Sequence, residues 1–530
     1  GVPDDCDILA GDEEDCDADG VPDSCSLAYG VAREIRKLTG STTDEDDGFG
    51  SALAIDGDMM VIGARSDEVI PNSGSAFVFR NNNGNWEEVT KLTADVPTAL
   101  DIFGDKVAIQ DGVIAISASG DDDLGSGSGS VFVFREVDGA WERVAKLQAM
   151  DGSFQDNLGS DIDMDGVTII AGAPNEDAGG NDAGAAYVFR EVNGTWEEVA
   201  KLGADDAEAG NRFGASVAIE GNIAVVGAYR ASAGAQYSGC AYVFRESGGV
   251  WSQVAKITPP NPVRTGWFGS CVAIDSGVIA IGSPNDVSNG VVSGSLFVYQ
   301  EEGGTWSQIA RLTPIQYGLG GHVGRNVSMA AGCIAAGAYD SKIGGENRGA
   351  TYLFREDGPG QWRQVATIMA SDGEAGDHFG FDVAIDDGRL LVGATFDDDD
   401  GDAAGAAYVL DVRRLSTDCN SNLLIDVCET LRSIEDFVAA VINGSNDPQA
   451  VCLYDSDHNG LLDGRDIQDF LSGAFANAGC DTSDATIDGF VAALLSGTPS
   501  STEICLYDAD DNDHLDALDI AAFVDRLLNP

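Results

Sequence analysis

The sequence predicts a mainly β protein: a seven-bladed β-propeller of four-stranded antiparallel blades, closed by its N-terminal strand, with a small α-helical domain of two repeated halves behind it. Three observations carry this. A Phe-Gly landmark, at Phe49, Phe103, Leu158, Phe213, Phe268, Val323 and Phe379 with Gly following each time, returns every 54 to 56 residues. Within each unit, short β-branched and aromatic runs are separated by Gly-containing turns. Beyond residue 430 the period becomes 53 and the apolar spacing becomes helical. A repeat near 50 residues marks an array or a propeller, and short strands joined by tight turns make an antiparallel sheet.

The unit from Arg212 to Lys256 shows the pattern most cleanly. Its strand-like runs are residues 217–219, 223–226, 241–244 and 251–257, parted by Glu220-Gly221, a longer Gly-rich loop and Ser247-Gly248-Gly249. A Gly-Ala landmark follows each Phe-Gly, at Gly63, Gly172, Gly227, Gly282, Gly337 and Gly393, with Ser117 in the remaining unit. A Trp marks six units, at Trp86, Trp141, Trp196, Trp251, Trp306 and Trp362. The ends predict closure. Residues 33–38 match residues 197–202 but stand before the first Phe-Gly, and the seventh unit leaves the pattern after Leu410. The first strand is therefore expected to complete the last blade, giving a propeller over residues 29–414 with only short, protected edges.

Composition narrows the function. With 89 acidic against 29 basic residues the formal charge is −60, which argues against a nucleic-acid partner. It leaves calcium, cationic partners or a high-salt habitat. The hydrophobic content of 43% is that of a globular protein, so the acidity belongs to loops and surfaces. No apolar run approaches the ~20 residues of a membrane span, and no signal peptide is present. The opening Gly1-Val2-Pro3-Asp4-Asp5-Cys6 duplicates the second half of residues 15–25, so a segment removed upstream is expected. Enzyme chemistry is poorly supported. Of four His, His458 and His514 sit in the acidic loops described below. His322 and His378 precede the landmark in neighbouring units, should face the same part of the ring, and have no assignable catalytic partner. Cys240, Cys271 and Cys333 read as isolated thiols.

Taken in order, residues 1–28 form an acidic segment. Asp15, Asp17, Asp19 and Asp23 surround Gly20, the way a short loop wraps Ca²⁺. Residues 415–430 carry a variant, Asp418, Asn420, Asn422 and Asp426, and both copies share a Cys-x₈-Cys frame. These segments resemble thrombospondin type 3 repeats, a resemblance that implies calcium; a solvated acidic linker is the alternative. Asp161, Asp163, Asp165 and Gly166 imitate a calcium loop, but aligned on Leu158-Gly159 they fall on strand and hairpin positions, so a strand with alternating acids is expected. Weak ions fit better in the loops after Gly-Ala, at Asp121-Asp122-Asp123, Asn175-Glu176-Asp177 and Asp397 to Asp400. Even there a solvated, self-repelling rim is the plainer reading.

Phe-Gly followed by Gly-Ala in each unit resembles the FG-GAP repeats of the integrin α-subunit head, over residues 29–414. The resemblance implies an adhesion or ligand-binding platform. Integrin-type repeats hold calcium between the first two strands; here that connection is only Asp56-Gly57, Asp111-Gly112 or Glu220-Gly221, too short to hold an ion.

Residues 431–530 read as a paired EF-hand module. Residues 437–442 return as 490–495, and Cys452-Leu453-Tyr454-Asp455 returns as Cys505-Leu506-Tyr507-Asp508. Ile434, Phe437, Val438, Val441 and Ile442 have helical spacing, as do Ile520, Phe523, Val524, Leu527 and Leu528. Asp455, Asp457, Asn459, Asp463 and Asp466, with the Leu461 carbonyl and a turn at Gly460, occupy EF-hand ligand positions. Asp508, Asp510, Asn512, Asp516 and Asp519 repeat them, with the His514 carbonyl, though Asp513 stands at the turn. Alternate oxygens wrap the ion and the last acid reaches back from the exiting helix, which is chelate geometry for Ca²⁺. Asp at that last position resembles a dockerin loop, but dockerins repeat at a shorter period, and a structural joint fits as well.

Eleven Cys leave at least one unpaired within the chain. Bridges Cys428–Cys452 and Cys480–Cys505 compete with Cys419–Cys428, and spacing leaves both open. Either pattern implies an oxidising, extracellular compartment. Sequons occur at Asn193, Asn326 and Asn443. The sequence thus points to a secreted, calcium-binding, non-enzymatic adhesion or scaffold protein. Its partners would be an extracellular protein or glycan ligand, or copies of itself head to tail in a filament or matrix. The alternatives are the substrate-binding part of a secreted hydrolase and a soluble glycan or protein receptor.

Overall fold

The computed structural model describes residues 33–412, apart from 68–69, 83, 289–290, 315–320, 344–345, 359, 387, 400 and 402. The acidic segment 1–28, the second motif 415–430 and the paired EF-hand module 431–530 lie outside the described residues, and with them every calcium ligand proposed above.

Within the described residues, seven four-stranded antiparallel sheets follow one another, as the repeat requires. Blade 4 shows the plan: Ser216–Glu220, Ile223–Ala228, Cys240–Ser247 and Val250–Ile257, each paired with the next. The two middle strands are almost wholly buried, because both their faces meet neighbouring blades. The fourth strand alternates exposed and half-buried positions and ends on buried Ile257, as expected of an outer edge with one wet face. A bulge in that pairing, between Val243 and Phe244, recurs in blades 1, 2, 3, 5 and 6 and adds twist to each sheet. Blades 5 and 6 carry extra two-stranded hairpins in the loop after the second strand.

Closure occurs as predicted. Arg33–Leu38 pairs antiparallel with Ala406–Asp411 and completes blade 7. The sequence repeat is therefore displaced by one strand from the structural blade. Lys37 reinforces the seam, its Nζ 2.9, 2.8 and 2.6 Å from carboxylates of Asp372, Asp397 and Asp399.

The two landmarks turn out to be opposite halves of one joint. The Phe213 N–H donates to the Ala183 carbonyl of the preceding blade at 2.9 Å, and Phe49 repeats this to Ala404 across the closure. The Phe ring packs edge-on against an aromatic of its own third strand, 5.4 Å for Phe213–Tyr242 and 5.3 Å for Phe379–Tyr408, a geometry worth about 0.5–1.5 kcal/mol beyond area burial. Gly214, at φ +86°, lies so close to the preceding blade that a Cβ would sit 2.1 Å from the Ala185 carbonyl oxygen. A Cβ on Gly172 of the Gly-Ala pair would in turn sit 1.9 Å from the Gly214 oxygen. Glycine facing glycine is what lets the backbones of adjacent blades touch. Gly393 and Gly50 do the same at the seam. The core accordingly lies between blades, as where Val188 and Leu202 of blade 3 pack with Phe213 and Val226 of blade 4.

Candidate functional site

The first strands of all seven blades surround an axial channel of about 280 Å³. Each of these strands has one edge paired within its blade, and its other edge presents N–H groups toward the next blade. Side chains answer them. The imitation calcium loop is the clearest case: Asp161, Asp163 and Asp165 lie along the first strand of blade 3 and accept from the N–H groups of Val217, Ile219 and Gly221 at 2.8, 2.7 and 2.6 Å. Around the lower turn of the channel Asp56 accepts from Asp111, Gln110 from Gly166, Glu220 from Ser276 and Gly277, and Asp386 from Gly57 across the seam. These are charge-assisted bonds for the most part. The expectation of a strand with alternating acids holds, and the acids are staples between blades.

Higher in the channel, Lys106, Asp161, Cys271, Asn326 and Asp382 occupy equivalent positions of their blades. Burial alone would pull the Lys106 ammonium down, but Asp382, Asp161 and Asp105 outweigh it and hold it above the ordinary lysine range. Burial raises Asp161 to about 6 and Asp163 to about 7, against the Lys106 charge in the first case and the backbone donors in both. Asp382 is raised likewise, and burial pushes the Cys271 thiol up to about 12. Cys240, Cys271 and Cys333 are unpaired thiols, as read from the sequence. Because Asp161 and Asp163 hold protons in the folded state that the unfolded chain has released, their contribution to stability falls as pH rises from about 4 to about 7. Asp163→Asn is expected to flatten that decline by ~1–2 kcal/mol, allowing for screening through the open channel. Urea unfolding midpoints at pH 5 and 8 check this; parallel profiles for variant and parent would refute it.

A second repeating arrangement occupies the loops after Gly-Ala. In blade 2 the fourth-strand Lys146 lies 5.0 Å from the centre of the Phe132 ring and reaches Asp121 at 2.5 Å and Asp123 at 2.6 Å. Lys201 does the same over Tyr187 toward Glu176 and Asp151, and Lys91 over Phe77 toward Asp67. Where blade 6 has Ser341 in place of the loop acid, it also has Thr367 in place of the cation. The buried acids Asp121, Glu176 and Asp397 thus have lysine partners, while Asp122, Asp177 and Asp398 stay exposed as a solvated rim. Among the described residues no three His, Cys, Asp or Glu side chains converge as metal ligands would.

His322 and His378 border the same corner, as expected. His322 Nδ1 lies 3.1 Å from Asp340, and the His378 ring packs against Tyr339 and Phe396. Of the described sequons, Asn193 is exposed in a hairpin, whereas Asn326 lines the channel and donates to the Phe381 carbonyl. Sequence reasoning missed the stapling acids other than Asp161, Asp163 and Asp165, the channel lysine and the lysine-over-ring motif. Stacking the seven units and reading each column for charge would have found the last, since Lys or Arg stands before the final Leu or Ile of all but one fourth strand.

A model described as the FG-GAP repeat matches residues 33–79, 86–134, 141–189, 196–244, 251–299 and 362–410, together more than half of the chain. Each matched segment begins on the fourth strand of one blade and ends on the third strand of the next, the same displacement that creates the seam. The unmatched unit is blade 6, with Val323-Gly324 and Thr367. None of the curated proteins matches the chain.

Proposed function

The chain belongs to the FG-GAP repeat family, and on that premise we propose that it is a secreted, calcium-binding, non-enzymatic adhesion or scaffold protein whose copies join head to tail through their terminal calcium modules. The family propeller makes it a ligand-binding or adhesion-type protein, and FG-GAP repeats are typical of extracellular or cell-surface proteins. No described helix is long and apolar enough to cross a membrane. The observation that carries the reading is the joint: seven blades locked glycine to glycine and sealed by the first strand make a rigid ring. Such a ring suits a body that bears load or presents loops. The channel carboxylates support the same view, since they are engaged with backbone N–H groups. Calcium enters through the sequence, in the two EF-hand loops and the acidic segments.

The test is negative-stain electron microscopy of the chain with calcium and then with chelator. Filaments or ordered arrays are expected with calcium and should dissolve on chelation. Asp466→Ala combined with Asp519→Ala, which removes the back-reaching ligand of both loops, should prevent them. Single discs at high protein concentration in calcium would sink the assembly reading.

A further inference from the structure

One end of the axial channel has a chemistry at odds with the rest of the molecule. The residues just before and after each Phe-Gly, and those just after each Gly-Ala, gather there by topology. On the side formed by blades 6, 7 and 1 they make one unbroken chain of ring contacts. Phe396 meets His378 at 4.8 Å, His378 meets Tyr339 at 5.3 Å, and Tyr339 meets Phe381 at 5.5 Å. A guanidinium lies over each end of the central pair: Arg325 is 5.5 Å from the Tyr339 ring centre and Arg65 is 5.4 Å from that of Phe381.

Three features set this cluster apart from core packing. Arg325 is exposed and forms no ion pair among the described residues, in a chain of net charge −60. Arg65 has Asp105 only at 3.9 Å, and its side chain is 42% exposed. Phe396 is 45% exposed, and the buried His378 Nδ1 has no hydrogen-bond partner. Free cations, open ring faces and an orphaned nitrogen together describe a surface built to receive something.

We propose that this mouth binds an acidic saccharide, with pyranose faces on Tyr339, Phe381 and Phe396 and its carboxylate or sulfate groups on Arg325 and Arg65. The proposal rests on the reading of the propeller as a ligand platform and names the ligand class. An aromatic face accepts the apolar C–H face of a sugar ring, and a guanidinium fork matches a carboxylate or sulfate with two parallel N–H donors. Two ring faces between two cations suit a chain that carries a charge on successive rings. A ligand with its charge concentrated on one polyphosphate would meet the repulsion of the acidic body with fewer compensating contacts. At physiological ionic strength that body is screened beyond about 8 Å, so the local cations decide.

The experiment is isothermal titration of the full chain in physiological salt with trigalacturonate, a sulfated galactose trisaccharide, maltotriose and ATP. One or both acidic saccharides should bind, and which of them binds tells carboxylate from sulfate recognition. Arg325→Gln and Phe396→Ala, both exposed positions, should each weaken binding about tenfold or more. Arg143→Gln, on the outer edge of blade 2, should leave it unchanged. Equal binding of maltotriose, binding of ATP alone, no binding of either acidic saccharide, or indifference to both mouth substitutions would overturn the proposal. Calcium-dependent assembly without saccharide binding would defeat this inference alone, and the reverse result would defeat only the assembly reading.

Discussion

Gly214→Ala is expected to lower the unfolding midpoint of the propeller far more than Gly159→Ala, although the two glycines hold the same place in neighbouring blades at φ +86° and +89°. The left-handed backbone costs alanine about 1–3 kcal/mol at either site, so that part cancels. The surroundings differ. A methyl on Gly214 would lie 2.1 Å from the Ala185 carbonyl oxygen, which the strand ladder fixes. A methyl on Gly159 would meet the Ser117 side chain at 2.8 Å and the Ser130 oxygen at 3.1 Å, because this joint already carries Ser where the others carry Gly. Forcing two backbones apart adds about 1–3 kcal/mol of overpacking, giving ~2 kcal/mol for Gly159→Ala and ~4–5 kcal/mol for Gly214→Ala. Guanidinium unfolding of the two variants checks it. Equal midpoints would mean the glycines serve backbone conformation alone and the joint is looser than it looks.

A larger loss is expected from removing the closing strand. A chain lacking residues 1–38 should lose its cooperative transition, whereas one lacking only residues 1–32 should keep it. Three contributions go together. Leu38, which is 3% exposed, leaves the seam core, at about 1.5–3 kcal/mol. The edge of Ala406–Asp411 loses its antiparallel partner and becomes a template for another chain. Asp397, almost wholly buried, loses the Lys37 ammonium, and stranding one partner of a buried pair costs about 3–5 kcal/mol. Their sum rivals the whole stability of an ordinary domain. Circular dichroism melts together with size-exclusion chromatography would show a broad, aggregating transition in the shorter chain; two identical sharp melts would refute the role of the seam. Lys37→Met separates the charge from the strand: it should retain the fold with a lower midpoint.

Much of this architecture is written locally. The strands, the seven-fold repeat and even the displaced first strand follow from alternating apolar runs and Gly turns, because each blade is built from neighbours in sequence. The strand at Asp161, Asp163 and Asp165 was legible for the same reason, by alignment with a unit whose strands were plain. What those carboxylates do was not legible. Their donors at Val217, Ile219 and Gly221 belong to the next blade, 56 residues on in each case. Likewise Lys106 looks like any strand lysine until ring closure brings Asp382 to its side.

The Phe-Gly and Gly-Ala landmarks could be counted in the sequence but not explained there. Only the packed ring shows Gly172 of one blade against Gly214 of the next. The mouth cluster is the extreme case: Arg65, Tyr339 and Phe381 are unremarkable singly and meet only because the chain returns on itself. The sequence by itself determined the blades, their number and their order of closure, since these depend on periodicities within one unit. The tertiary structure decided which side chains share the axis, because a closed ring sets together positions that no local period relates.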